Sequence, residues 1–129
     1  PGETEEHFQE TCDLIKNIGF DDGYSFIYSK RPGTPASFET DNISLEDKKI
    51  RLSKVQKLIR NNAKEYLSRL VNSDQEVLVE GISKKNDNEL IGRTNTNKIV
   101  HFKASKDLIG KCINLHISKA NRSSLVGVL

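Results

Sequence analysis

Tryptophan and methionine are absent from the 129-residue sequence, and cysteine occurs only twice. So few thiols exclude a disulfide-dense secreted scaffold. Three prolines and eight glycines exclude a collagen-like chain. No stretch approaches the roughly 20 apolar residues that a membrane-spanning helix needs, so we expect a soluble chain without a membrane partner. The length suits one ordinary domain or two very small ones.

The two cysteines, Cys12 and Cys112, belong to no C-x-x-C or C-x-x-x-C-x-x-C pattern. Cysteine spacing therefore predicts neither a zinc site nor an iron–sulfur cluster. Because no secretory signal is recognisable, we expect reduced thiols and a cytoplasmic protein. The chain begins at Pro1 rather than at methionine, so we also expect a processed product or a piece of a longer protein.

Charge is unevenly distributed along the chain, although 20 basic and 18 acidic residues leave a net charge of only +2. Residues 1–40 carry a net charge of −5, residues 41–71 carry +4, and residues 72–129 carry +3. Such a change of sign is typical of a domain boundary, and the basic part favours a polyanionic partner. The alternative is that the lysines only solvate a surface.

The first segment, residues 1–40, begins with the pattern of an amphipathic helix. Thr4 is expected to cap this helix and Gly19 to end it. Its apolar positions recur at three- and four-residue steps, which makes Cys12 a core residue; they are Phe8, Cys12, Ile15 and Ile18. Residues 24–29 are rich in aromatics and are predicted to form a buried strand before a Pro/Gly loop. A helix followed by a strand is typical of the end of a larger α/β domain.

The second segment, residues 41–71, is predicted to be one long helix capped by Ser44. Apolar residues follow at helical spacing, namely Leu52, Val55, Ile59, Ala63, Tyr66 and Leu70. Basic residues cover much of the remaining surface, namely Lys48, Lys49, Arg51, Lys54, Lys57, Arg60 and Lys64. This helix is either a phosphate-facing element or a solvated connection between two domains.

The third segment, residues 72–129, changes to the period of β-strands. Five short strands separated by polar turns, one of them at Asn95-Thr96-Asn97, predict a small closed or nearly closed barrel. The alternation in the fourth strand places Cys112 and His116 on its outer face.

Three stretches carry a resemblance to a known family: PGETEEHFQETCDLI, YSFIYSKRPGTPA and VLVEG…ELIGRTNTNKIVHF. Together they resemble the C-terminal part of the MiaB-type family of radical-SAM tRNA methylthiotransferases. The resemblance implies an α+β fold in three parts. Residues 1–40 would be the C-terminal end of a radical-SAM partial α/β barrel, and residues 41–71 a connecting helix. Residues 72–129 would be a TRAM domain, a five-stranded antiparallel OB-like barrel that holds RNA.

Members of this family convert N6-isopentenyladenosine beside the tRNA anticodon into its 2-methylthio derivative. They use two 4Fe-4S clusters and S-adenosylmethionine, and the clusters require six cysteines. This chain has two, neither at a ligand position, so we expect it to bind no cofactor and to catalyse nothing alone. Its parent protein would be the enzyme, monomeric at full length, with the tRNA anticodon stem-loop as partner.

RNA binding is the activity that the chain itself could retain. Arg93 is the first choice, because its guanidinium can hold a phosphate or lie on a base. The other RNA-binding residues that we predict are Lys84, Lys85, Lys98, His101 and Lys103. The barrel segment is poor in aromatics, which favours electrostatic rather than stacking contacts. Alternatively, His101 is an exposed histidine with no functional role.

A second site is implied by the resemblance at the YSxRPGT loop, near S-adenosylmethionine and the substrate base. There Arg31 would anchor an anion, Tyr28 would form a wall of the pocket, and Gly2 and Glu3 would line the cofactor edge. Alternatively, Arg31 is a surface charge in a tight turn.

Two further interpretations of the whole chain stay open. It could be a stand-alone RNA-binding module without catalytic activity, or a barrel used only for protein contacts.

Overall fold

The computed structural model describes residues 1–84 and 86–129 and divides the chain into two compact units, residues 1–63 and 64–129. The helices are α1 (Glu5–Ile18) and α2 (Leu45–Arg69), and the strands are β1 (Asp74–Ser83), β2 (Asn86–Thr94), β3 (Ile99–Phe102), β4 (Cys112–Ala120) and β5 (Leu125–Val128). Short 3₁₀ turns occupy Pro35–Phe38 and Lys106–Leu108. The division at 40 and 71 into barrel remnant, connecting helix and TRAM barrel stays a prediction.

Helix α1 begins and ends as its sequence predicts. The Thr4 hydroxyl accepts a hydrogen bond from the His7 amide at 3.1 Å, and the Thr4 amide donates to the His7 ring at 3.4 Å. Gly19 ends the helix in the left-handed conformation, with φ of 68°. Phe8, Cys12 and Ile15 are buried, whereas Ile18 is exposed. The predicted apolar stripe is therefore confirmed except at its last position.

Within the first unit, α1 runs parallel to the first part of α2. The Arg51 guanidinium donates to the Glu3 carbonyl at 2.9 Å and lies 5.5 Å from the centre of the Phe8 ring. Farther along both helices, the side-chain amide of Asn62 donates to the Ile15 carbonyl at 3.0 Å. Because contacts advance in the same direction along both helices, the helices pack side by side in parallel.

The prediction of a buried strand at residues 24–29 is wrong. Residues 24–29 belong to no strand, and Tyr24 and Phe26 are 87% and 83% exposed. A β-strand needs the backbone of a neighbouring strand to complete its hydrogen bonds. Every strand of the described residues lies in the second unit, so this segment has no such neighbour in the first.

Helix α2 begins at the predicted cap and contributes its last turns to the second unit. The Ser44 hydroxyl accepts from the Asp47 amide at 3.0 Å and donates to the Asp47 carboxylate at 2.6 Å. Near the other end, Leu67 is 5% exposed and belongs to the core of the barrel. Neither α1 nor α2 is long and apolar enough to cross a membrane, and the same holds for every other helix within the described residues.

The second unit is a closed barrel with the strand order β1-β2-β3-β5-β4. Four of the strand pairings are antiparallel, but β3 and β5 run parallel, with Val100 opposite Leu125 and His101 opposite Val126. The expectation of a wholly antiparallel barrel is therefore wrong. Strand β5 follows β4 and pairs with it antiparallel, and it lies between β4 and β3 in the barrel. With that direction, β5 runs parallel to β3.

The inner face of the barrel is apolar and tightly packed. Its buried core side chains are Leu67, Val77, Val79, Leu90, Val100, Phe102, Leu115, Ile117 and Leu125. Gly92 of β2 is buried and lies against β1, with Val79 as its cross-strand partner. A Cβ atom added at Gly92 would lie 2.5 Å from the Leu78 carbonyl oxygen and 2.5 Å from Val77 Cγ1. The strand pair therefore requires glycine at this position.

We expect Gly92→Ala to destabilise the barrel by at least about 1–3 kcal/mol, because the added methyl group must displace backbone as well as side chain. Gly81→Ala is the matched control on β1, since a Cβ atom there meets nothing within 4 Å. The measurement is urea unfolding of the 129-residue chain, followed through NMR signals of barrel core residues. Equal unfolding midpoints for the two variants would contradict the close approach at Gly92.

Candidate nucleic-acid interface

Two of the predicted RNA-binding residues lie on one face of the barrel. Arg93 of β2 stands opposite Ile99, and His101 of β3 stands opposite Ile91. Their chain neighbours Gly92, Val100 and Phe102 are buried, so these four residues point outward. We call Ile91, Arg93, Ile99 and His101 the β2–β3 outer face.

Lys103 follows β3 directly and is exposed. With a rise of about 3.3 Å per residue, positions 99 to 103 span roughly 13 Å. The strand pair thus offers basic or titratable side chains along its length, from Arg93 at one end to Lys103 at the other.

The Arg93 guanidinium is held on two sides. Its Nε lies 3.0 Å and 3.2 Å from the two carboxylate oxygens of Glu80, and its Nη1 donates to the Asn97 side-chain oxygen at 3.0 Å. The side chains of Arg93 and Glu80 are 39% and 41% exposed. Arg93 is therefore oriented by the protein but remains in contact with solvent.

The turn between β2 and β3 fixes the position of Asn97. The Thr94 hydroxyl accepts from the Lys98 amide at 3.0 Å, and the Asn97 amide donates to the Thr94 carbonyl at 2.9 Å. Asn97 adopts a left-handed φ of 64°, which asparagine tolerates better than most residues. Within the same unit, the Lys98 ammonium lies 5.0 Å from the centre of the Tyr66 ring. The predicted polar turn at 95–97 is confirmed.

Strands β3 and β5 pair over a short parallel stretch, which we call the β3–β5 seam. A groove of about 400 Å³ opens beside it. His101 and Lys103 line it, and they are joined by polar side chains that the sequence did not single out, namely Ser83, Glu89, Asn121 and Ser124. Lys84 is exposed in the turn that follows β1, while Lys85 lies outside the described residues. The groove thus combines hydrogen-bonding groups with a lysine, but it also contains the carboxylate of Glu89.

Some basic residues of α2 contact other residues of the first unit. Arg51 and Lys54 lie over the Phe8 ring at 5.5 Å and 5.7 Å, and Lys48 pairs with Asp41. The hydrogen bond from Lys48 holds the pKa of Asp41 below its usual value. Lys54 is nevertheless exposed, as are Lys49, Lys57, Arg60, Lys64 and Arg69, of which Arg69 pairs with Glu65 at 3.6 Å. Part of the predicted phosphate-facing surface therefore serves contacts within the first unit.

The residues predicted at the second site are brought together in part. Tyr28 and Glu3 line a recess of about 480 Å³ in the first unit. Gly2, with a left-handed φ of 78°, precedes Glu3, whose carboxylate accepts from Arg51 at 3.0 Å. Arg31 is exposed and is not among the described residues that line this recess. Its carbonyl accepts from the Thr34 hydroxyl at 2.8 Å, so its backbone forms the predicted loop.

The side chains of this chain do not fit an iron–sulfur cluster, which needs several converging thiolates. Cys12 is buried in α1 of the first unit, whereas Cys112 is exposed on β4 of the second. Among the described residues, no three His, Cys, Asp or Glu side chains converge in a way that could hold a metal ion. The outer-face position predicted for Cys112 and His116 is confirmed, and His116 pairs there with Asp74 at 2.8 Å.

Comparison with known proteins gives two results. Residues 68–129 match the model of the TRAM domain family. The tRNA-2-methylthio-N(6)-dimethylallyladenosine synthase of Buchnera aphidicola subsp. Baizongia pistaciae is 52% identical over 98% of this chain. The same enzyme of Francisella tularensis subsp. novicida is 49% identical over the whole chain. The chain spans 28% and 29% of the length of these two relatives. It therefore carries a TRAM domain at residues 68–129, and its resemblance to the MiaB-type tRNA methylthiotransferases extends over its whole length.

Proposed function

We propose that this chain is the tRNA-binding part of a tRNA-modifying methylthiotransferase. The barrel would hold the anticodon stem-loop while the remainder of the full-length protein methylthiolates the adenosine beside the anticodon. The observation that carries the proposal is the alignment of Arg93, His101 and Lys103 along one strand pair of a TRAM-type barrel. OB-like barrels bind oligonucleotides with their second and third strands and the adjoining loops.

The mode of binding follows from the kind of side chains on this surface. Phe102, the aromatic residue of β3, is 2% exposed and packs in the core, so it does not stack on bases. The contacts therefore consist of basic side chains on phosphates and polar groups on base edges. Such binding tolerates sequence variation and weakens steeply as salt rises.

The remainder of the proposed enzyme supplies the chemistry. Two 4Fe-4S clusters and S-adenosylmethionine belong to the rest of the protein, which is cytoplasmic and monomeric in this proposal. Residues 1–40 would complete its radical-SAM α/β barrel. The exposed aromatic side chains of Tyr24, Phe26 and Tyr28 support this, because they alternate with half-buried Ser25 and Ile27 as in a strand that lacks its neighbour.

Lys103→Ala should reduce the salt dependence of binding to an anticodon stem-loop RNA. The slope of log K against log salt should fall by about 0.7–0.9, because one phosphate contact is lost. Lys111→Ala is the control: it removes the same charge from an exposed residue that precedes β4. Fluorescence titration of the 129-residue chain at several salt concentrations measures both slopes. A salt-independent dissociation constant, or equal slopes for the two variants, would contradict the proposed interface.

Arg31→Ala in the full-length protein should lower kcat by about tenfold, as expected when one hydrogen bond to a charged group is lost. The loop itself should persist, because Thr34 bonds to the Arg31 carbonyl and not to its side chain. Binding of tRNA should be nearly unchanged. Lys30→Ala is the neighbouring control, and single-turnover kinetics beside a tRNA titration measure both quantities. An unaltered rate would remove Arg31 from the second site.

A further inference from the structure

Arg93 is the residue best suited to bind RNA on the β2–β3 outer face, and it is already paired with a carboxylate. Glu80 contacts Arg93 through both of its oxygens, at 3.0 Å and 3.2 Å from Nε. An RNA phosphate would offer Arg93 the same chemistry, because carboxylate and phosphate oxygens both fit the guanidinium fork. Glu80 and a phosphate therefore compete for the same donor.

Glu80 lies at an irregularity in β1. Val79 stands opposite Gly92 and Gly81 stands opposite Ile91, so Glu80 is an extra residue in the strand. Leu78 is the direct cross-strand partner of Arg93. Glu80, two residues farther along β1 and exposed like Leu78, is the diagonal neighbour of Arg93, within reach of a long side chain.

The ion pair is suited to exchange. Both side chains are about 40% exposed, and exposed ion pairs contribute little to stability. Asn97 holds Nη1 from the other side at 3.0 Å, so Arg93 stays oriented when Glu80 leaves. A guanidinium offers five N–H donors, of which Glu80 engages the one on Nε and Asn97 engages one on Nη1. A phosphate that binds Nε and Nη2 together in the fork geometry must take the Nε donor from Glu80, while the Asn97 contact can stay in place.

We infer that Glu80 acts as an internal competitor of RNA: it occupies Arg93 in the free protein, and an RNA phosphate must displace it. This inference rests on the proposed function, since it concerns the same surface. Its consequence is that Glu80 sets the affinity of the barrel for RNA below the value that its basic residues would otherwise give. Weaker binding favours release of RNA, because differences in affinity within one interface lie mostly in the dissociation rate.

The test compares Glu80→Gln with Glu76→Gln in the 129-residue chain, using a fluorescein-labelled anticodon stem-loop RNA as the probe. Glu76 is exposed on the same strand and pairs with Asn114 rather than with a basic residue, so it controls for the change of net charge. Glu80→Gln should tighten binding by about two- to fivefold more than Glu76→Gln, the range expected for a surface ion pair.

The Arg93→Ala background separates competition from general electrostatics. In that background, Glu80→Gln should improve binding no more than Glu76→Gln does, because Arg93, for which Glu80 and the RNA phosphate compete, is absent. An equal gain from both glutamine variants in the wild-type background, or a gain from Glu80→Gln that persists without Arg93, would overturn the inference while the proposed RNA binding stands. If neither the wild-type chain nor Glu80→Gln binds the RNA at low salt, the proposed function fails and the inference fails with it.

Discussion

Closure of the barrel depends on a short parallel seam. Val100 opposite Leu125 and His101 opposite Val126 join β3 to β5, and without them the sheet would have two open edges around its apolar core. The barrel interior is tightly packed at Gly92 and Gly127, where an added Cβ would approach neighbouring atoms within 2.5 Å and 3.1 Å. The outward direction of Arg93 and His101 follows from that closure, because their neighbours in the strands fill the interior.

Two side chains then decide how the charge of Arg93 is presented. Glu80 of β1 places a carboxylate against Arg93, and the left-handed Asn97 holds the other side of the same guanidinium. The surface is thus neither a simple basic patch nor a plain ion-pair network. Arg93 is held in one orientation by Glu80 and Asn97. Lys103 is exposed and lines the groove at the β3–β5 seam. Binding of a polyanion would replace Glu80 as the partner of Arg93 and would not need to order a flexible arginine side chain.

Sequence patterns predicted what depends on neighbours along the chain. The caps at Thr4 and Ser44, the buried Cys12, the turn at 95–97 and the existence of five strands all follow from local spacing. The parallel pairing of β3 and β5 and the Glu80–Arg93 contact did not follow, because strand order and register depend on partners farther away in sequence. The segment 24–29 has the composition of a buried strand, but burial requires a neighbouring sheet that the first unit does not contain.

We propose that RNA lies on the β2–β3 outer face and the adjoining groove. The most direct measurement is a titration of the ¹⁵N-labelled 129-residue chain with an anticodon stem-loop RNA, followed by amide chemical shifts. We expect the largest shift changes at Arg93, Asn97, His101, Lys103 and Ser124, and we expect them to disappear at high salt. Shift changes confined to the exposed lysines of α2, with the barrel amides unmoved, would contradict it.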